Sequence, residues 1–174
     1  MTADPLAGSE ARTLVATLAA REETVSTSES LTAGLLGAMI AGVPGASTVL
    51  RGGLIVYATD LKSGLAGVAA GTLARFGPVA EQTARELAVG AARRCRSTYG
   101  ISLTGVAGPD PQDGKAPGTV FCGLARALSA DTRDDAGNVR FDIKVVPMSL
   151  RGDRWDIRLV SCTRSIAELL DWID

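Results

Sequence analysis

The chain contains no histidine, so the commonest general base and the commonest metal ligand are both missing. A Ser-His-Asp or Cys-His site cannot be built from these residues. Its three cysteines, Cys95, Cys122 and Cys162, form no C-x-x-C pair, so no metal site is expected, and no motif calls for a cofactor. A proton in any acid-base chemistry must therefore travel through a lysine, a carboxylate, a tyrosine or water. Three lysines stand against fifteen arginines, which makes Lys62, Lys115 and Lys144 the positions to weigh.

Ser30 follows a short hydroxyl-rich strand and opens an apolar helix, with Thr32 and Gly34 in the expected first turn. Free N–H groups and the positive end of a helix dipole would meet a nucleophile there, and such a turn can hold an anion or an oxyanion. An ordinary N-cap serine is the other reading of the same position. Lys62 lies in a polar turn after a strand, where a solvated surface charge is the usual occupant. With histidine absent, a desolvated lysine is also the partner best able to activate a serine. The loop Thr104–Gly118 holds four glycines and three prolines, which suits either N–H groups offered to a phosphate or a simple tight turn. Ser30, Lys62 and Thr104 each follow a strand, and in an open α/β sheet such loops gather in one crevice.

Other nucleotide and serine-enzyme signatures fail. No G-x-G-x-x-G follows a strand. Around Lys115 a P-loop would need glycine where Pro109 stands and a hydroxyl where Ala116 stands. The Ser-x-x-Lys motif of penicillin-binding enzymes is absent, because Thr59, Gln112 and Phe141 precede the lysines by three.

The elements that must position these residues follow from periodicity. Residues 6–21 form an amphipathic helix with Leu6, Leu14, Val15, Leu18 and Ala19 on one face. Residues 24–28 read as a strand, and 31–41 as a mostly buried helix stopped by Val43-Pro44-Gly45. A strand covers 47–57 and ends at Tyr57, with Gly52-Gly53 marking a bulge or a close backbone approach. A short helix or turn follows within 60–67 and a short helix over 70–76. A longer one at 80–96 turns Ala84, Leu87, Ala88 and Ala91 inward, and its Arg93, Arg94 and Arg96 suit a solvated C-terminal turn. Strands are expected at 100–103, 119–128 and 139–148, the last two as a long antiparallel hairpin with an acid-rich tip near Asp131–Asp135. A final helix at 153–173 carries Ile157, Val160, Ile166, Leu169 and Leu170 on its apolar side. Helix and strand alternate first and the hairpin comes late, so the expected fold is one three-layer α/β/α sandwich with a mixed sheet, spanning 1–174 as a single domain.

With 174 residues and 46% hydrophobic side chains, such a domain buries a core without disulfides. A net charge of −1 leaves no footprint for nucleic acid and no polybasic membrane face. No signal-like or transmembrane stretch is present in the sequence, so a cytoplasmic protein is expected, its cysteines reduced.

Four segments in order resemble the CinA C-terminal domain family, whose enzymatically active members are PncC-type nicotinamide-nucleotide amidases. They are SESLTAG at Ser28–Gly34; VPGAS with GGLIVYATDLK, ending at Lys62; TGVAGP at Thr104–Pro109 with APGTV at Ala116–Val120; and Gly152-Asp153-Arg154 before the last helix. The resemblance covers nearly the whole chain. It implies deamidation of nicotinamide mononucleotide to nicotinate mononucleotide and ammonia, with Ser30 as nucleophile and Lys62 as base. It places Tyr57 and Thr104 in the pocket, and the substrate phosphate on Thr104, Gly105 and Gly108 or on the helix after Ser30, beside Thr32 and Gly34. The Lys62 pKa must fall several units from about 10.4 for this role. The alternative implied is a non-catalytic nucleotide-binding or regulatory domain. Two departures stand out: Ala33 replaces the first glycine of the family's pair, and Leu31 a cysteine common in active members. The chain is expected to self-associate, and to lack the N-terminal domain of many members together with its pyrophosphatase chemistry.

Overall fold

A computed structural model describes residues 4–128 and 139–173. Its elements in chain order are α1 (Ser9–Ala20), β1 (Val25–Glu29), α2 (Leu35–Ala41), β2 (Leu50–Ile55), α3 (Thr59–Gly64), α4 (Ala70–Phe76), α5 (Glu81–Cys95), β3 (Tyr99–Gly105), β4 (Thr119–Ala127), β5 (Phe141–Ser149) and α6 (Arg154–Ile173). The strands form one mixed sheet in the order β2-β1-β3-β4-β5. β2, β1 and β3 are parallel, and β4 and β5 add to them antiparallel. The expected α/β class with a mixed sheet is therefore what the chain adopts.

The two faces of the sheet are packed differently because the strand residues alternate. Val25, Ile101, Leu103, Val120, Cys122 and Leu124 join α1, α2 and α6 in the main apolar core. The opposite face offers Ser26, Ser28, Gly100, Ser102 and Gly123 to α5, whose inward residues apart from Leu87 are themselves small. A Cβ on Gly100 would stand 2.1 Å from the Ala88 carbonyl oxygen, and one on Gly123 would stand 2.3 Å from that of Ala84. Ser102 Oγ donates to the Ala84 carbonyl at 2.6 Å. The hydroxyl-rich sequence of β1 is thus what lets a helix lie close against the sheet: Ser26 Oγ pairs with Ser97 Oγ at 2.7 Å, while Ser28 Oγ is buried without a hydrogen-bond partner.

Of the two alternatives expected at Gly52-Gly53, the bulge is present, and the close neighbour of Gly53 is a side-chain hydroxyl rather than backbone. The β1–β2 register slips between Val25 and Ser26, and a Cβ on Gly53 would lie 2.4 Å from Thr27 Oγ1. Several boundaries differ. A 3₁₀ turn occupies Ala46–Thr48, so β2 starts later than expected and ends before Tyr57. Val160 is exposed on α6, and buried Ser161, Cys162 and Ser165 take the inward positions instead. The Asp131–Asp135 tip lies outside the described residues. Cys122 and Cys162 are buried and their thiols pushed well up by desolvation, while Cys95 is half-buried. Among the described residues no helix is long and apolar enough to cross a membrane.

The strand order sets the place of the site. β1 sends its following chain to β2 on one side, while β3 lies on the other, so the sheet reverses direction of winding at β1. Loops leaving the carboxyl ends of β1, β2 and β3 diverge there and leave a crevice.

Candidate active site

Ser30 is the first residue beyond β1, and its N–H still donates to the Leu103 carbonyl of β3 at 2.9 Å. The expected helix does not begin there. Residues 31–34 make a turn with Ala33 and Gly34 at φ 50° and 94°, and α2 starts only at Leu35. Ser30 is consequently not a helix N-cap. Both left-handed residues are needed because the chain must reverse between the strand end and the helix, and Gly34 supplies that conformation without a Cβ penalty.

Two charged side chains hold this turn. The Glu29 carboxylate, buried at the end of β1, accepts from the N–H groups of Gly34 at 2.9 Å, Leu36 at 3.0 Å and Gly37 at 2.8 Å, and from Thr27 Oγ1 at 3.1 Å. It fills the N-terminus of α2, where free N–H groups otherwise attract an anion. From the other side, Arg158 of α6 donates to the carbonyls of Leu31 and Thr32, both at 3.0 Å. Ser30 therefore sits on a turn whose N–H groups and carbonyls are tied in opposite directions.

Lys62, on α3, is 2% exposed. Its Nζ lies 3.1 Å from Ser30 Oγ and donates to the carbonyls of Val56 at 2.8 Å and Tyr57 at 3.3 Å. Burial lowers its pKa to about 8, against an opposing pull from the Asp60 carboxylate. A neutral lysine amine has two N–H donors and one lone pair. With the two carbonyls taking the donors, the lone pair is left for the Ser30 hydroxyl proton, the arrangement a serine nucleophile requires.

The two side chains open into a cavity of about 130 Å³ lined also by Tyr57, Thr104, Gly108 and Arg154. Thr104 Oγ1 donates to the Pro78 carbonyl at 2.7 Å, so its oxygen keeps only acceptor capacity toward the cavity. Gly105 and Gly108 line the same space. Gly105 admits no side chain, since its Cβ would stand 2.6 Å from the Thr119 carbonyl oxygen. The N–H groups of Leu31, Ala107 and Gly108 have no protein acceptor among the described residues, and all three residues line the cavity. Arg154, the first residue of α6, donates to the Gly108 carbonyl at 2.7 Å and to Tyr57 Oη at 3.0 Å, tying the loops after β2 and β3 together at the rim.

Of the residues singled out in the sequence, Ser30, Lys62, Tyr57, Thr104, Gly105 and Gly108 converge on this cavity. Thr32 and Gly34 do not line it: Gly34 N–H is bound to Glu29, and Thr32 Oγ1 is buried without a partner. An anion on the α2 N-terminus is correspondingly displaced by the Glu29 carboxylate. Glu29, Arg154 and Arg158 were not assigned to the site from sequence. A lone acid ending a hydroxyl-rich strand was the one local signal available, for Glu29.

The model of the CinA C-terminal domain matches residues 8–173, almost the entire chain. The chain belongs to this family. A CinA-like protein of Frankia casuarinae is 45% identical over 116 residues, 67% of this chain and 27% of that protein. The chain thus spans about a quarter of that relative's length. Among solved structures, the competence/damage inducible protein CihA from Agrobacterium tumefaciens matches with a TM-score of 0.84 at 27% identity, covering 100% of this chain and 99% of the other. The competence or damage-inducible protein from Enterobacter asburiae matches with a TM-score of 0.85, also at 27% identity, covering 98% and 100%. The CinA C-terminal fold and the crevice at the ends of β1, β2 and β3 therefore belong together in this chain.

Proposed function

We propose that this CinA-family domain is an amidohydrolase that deamidates nicotinamide mononucleotide through Ser30 and Lys62. The observation that carries the reading is the buried contact between Lys62 Nζ and Ser30 Oγ, with both remaining Lys62 donors engaged by carbonyls.

In this mechanism Ser30 Oγ attacks the carboxamide carbon while Lys62 takes the hydroxyl proton. The Leu31 N–H, next to the nucleophile and without a protein acceptor among the described residues, is available to the developing oxyanion. The C–N bond then breaks, and the Lys62 ammonium returns its proton to the departing nitrogen, which leaves as ammonia. Water, deprotonated by the regenerated amine, hydrolyses the Ser30 ester to the carboxylate. The substrate phosphate finds donors in the N–H groups of Ala107 and Gly108 and in the Arg154 guanidinium at the rim.

Ammonia release from nicotinamide mononucleotide tests the reading. Wild-type protein should turn over, and Ser30→Ala and Lys62→Met should each lose activity by about a thousandfold or more while still binding the compound. Release undiminished in Ser30→Ala would overturn it. Binding without any release from wild-type protein would move the function to nucleotide binding alone.

A further inference from the structure

A second concavity, of about 600 Å³, shares no residue with the Ser30 cavity and lies where α5 meets the turn at Ala66–Gly67. Gly90 makes that meeting possible, since a Cβ there would stand 2.0 Å from the Ala66 carbonyl oxygen. Four arginines line the space: Arg85, Arg93, Arg94 and Arg96. At about 100° per helical residue, Arg85 and Arg94 stand on opposite flanks with Arg93 between them.

Among the described residues no carboxylate neutralises the charge in this space. Glu86 is the one carboxylate in the lining, and it accepts from the Ala69 N–H at 2.8 Å, Thr72 Oγ1 at 2.7 Å and Gln82 Nε2 at 3.2 Å. It serves the turn before α4 rather than an arginine. Arg93 stacks over the Phe141 ring at 5.6 Å, and among the described residues Arg85, Arg94 and Arg96 have no ion-pair partner. The helix dipole accounts for cations in the last turn of α5. It does not account for Arg85, near the other end, where a positive charge opposes the dipole.

We propose that this concavity binds a polyphosphate-bearing small molecule, whether a free linear polyphosphate or the phosphate chain of a nucleotide. Its volume falls within the range of small-molecule sites, about 300–1,000 Å³, and Arg85 and Arg94 are set roughly 13 Å apart along the axis of α5 at about 1.5 Å of rise per residue, which suits a chain of phosphates better than one. Guanidinium groups match phosphoryl oxygens in charge and in fork geometry.

Isothermal titration with inorganic tripolyphosphate and with ATP tests this on the full chain. One site is expected, weakening as salt is raised. Arg85→Gln/Arg94→Gln should lose about tenfold or more in affinity, while Arg12→Gln on α1 and Ser30→Ala bind as wild type. Equal affinity for the two compounds means the phosphate chain alone is read, and tighter ATP binding means that the nucleoside is read as well. Unchanged binding by the double variant, an equal loss in Arg12→Gln, or loss in Ser30→Ala would overturn the proposal. Unaltered thermal midpoints of the variants exclude misfolding as the cause.

Discussion

Lys62 is a lysine removed from water, with the Asp60 carboxylate favouring its charged form and burial opposing it, and its protonation is the quantity on which the proposed chemistry turns. Below about pH 8 the amine is protonated and cannot accept the Ser30 proton, so kcat/KM should rise with pH through about 8 and then level off. Asp60 favours the ammonium form, so Asp60→Asn should move that midpoint to lower pH, and an unmoved or raised midpoint would contradict the assignment. The same shift is linked to stability. Because the folded-state pKa lies below the ordinary 10.5, the unfolded chain holds the extra proton between about 8 and 10.5, and stability gains from this group as pH rises across that window. Lys62→Met should abolish this increment in denaturant titrations. At this scale much was legible in the sequence. With histidine absent, three lysines stood beside carboxylates, tyrosines and water as candidates for a base, and position after a strand favoured Lys62 among the lysines. Its burial was not legible, because the carbonyls of Val56 and Tyr57 that receive it belong to a backbone path that residue types do not specify.

The elements explain why a serine at the end of β1 is held still. Sequence periodicity placed a helix directly after Ser30, but the chain first makes a left-handed turn at Ala33 and Gly34, and the apolar pattern of Leu31–Ala41 conceals it because buried turns and buried helices use the same side chains. Glu29 closes the turn by satisfying the α2 N–H groups that no N-cap side chain satisfies. Glu29→Gln replaces one carboxylate oxygen with an NH₂ group facing those donors, and should cost about 2–4 kcal/mol in chemical denaturation. It should also depress kcat more than KM, since Ser30 loses its support while the phosphate donors on the β3 loop remain. A cost well under 1 kcal/mol would show that α2 is capped by other means. The β1 sequence itself was read correctly as a strand, with Ser26 and Ser28 facing α5 and Thr27 donating to the Glu29 carboxylate that holds the turn.

Across the whole molecule the site draws on six segments: the ends of β1, β2 and β3, the helix α3, Pro78 and Val79 before α5, and the start of α6. Arg154 joins two of these loops from the far end of the chain, so Arg154→Ala should raise KM for nicotinamide mononucleotide by about tenfold with a much smaller change in kcat. An unchanged KM would remove Arg154 from phosphate recognition. The α/β class and the succession of strands and helices along the chain were determined by the sequence, because periodicity and turn residues are local properties, and the motifs shared with the CinA C-terminal domain family pointed to Ser30 and Lys62, the nucleophile and base proposed above. The tertiary structure alone decided that Glu29 occupies the helix terminus expected to hold a phosphate, that Arg154 and Arg158 reach the site from α6, and that four arginines share a concavity beside Ala66. Each of these depends on side chains from separate elements meeting in space. For α5 that meeting is fixed by how closely the helix packs on the sheet, a consequence of serines, alanines and glycines whose small size becomes meaningful only when the opposing surface is known, and for α6 by large apolar side chains seated in the main core.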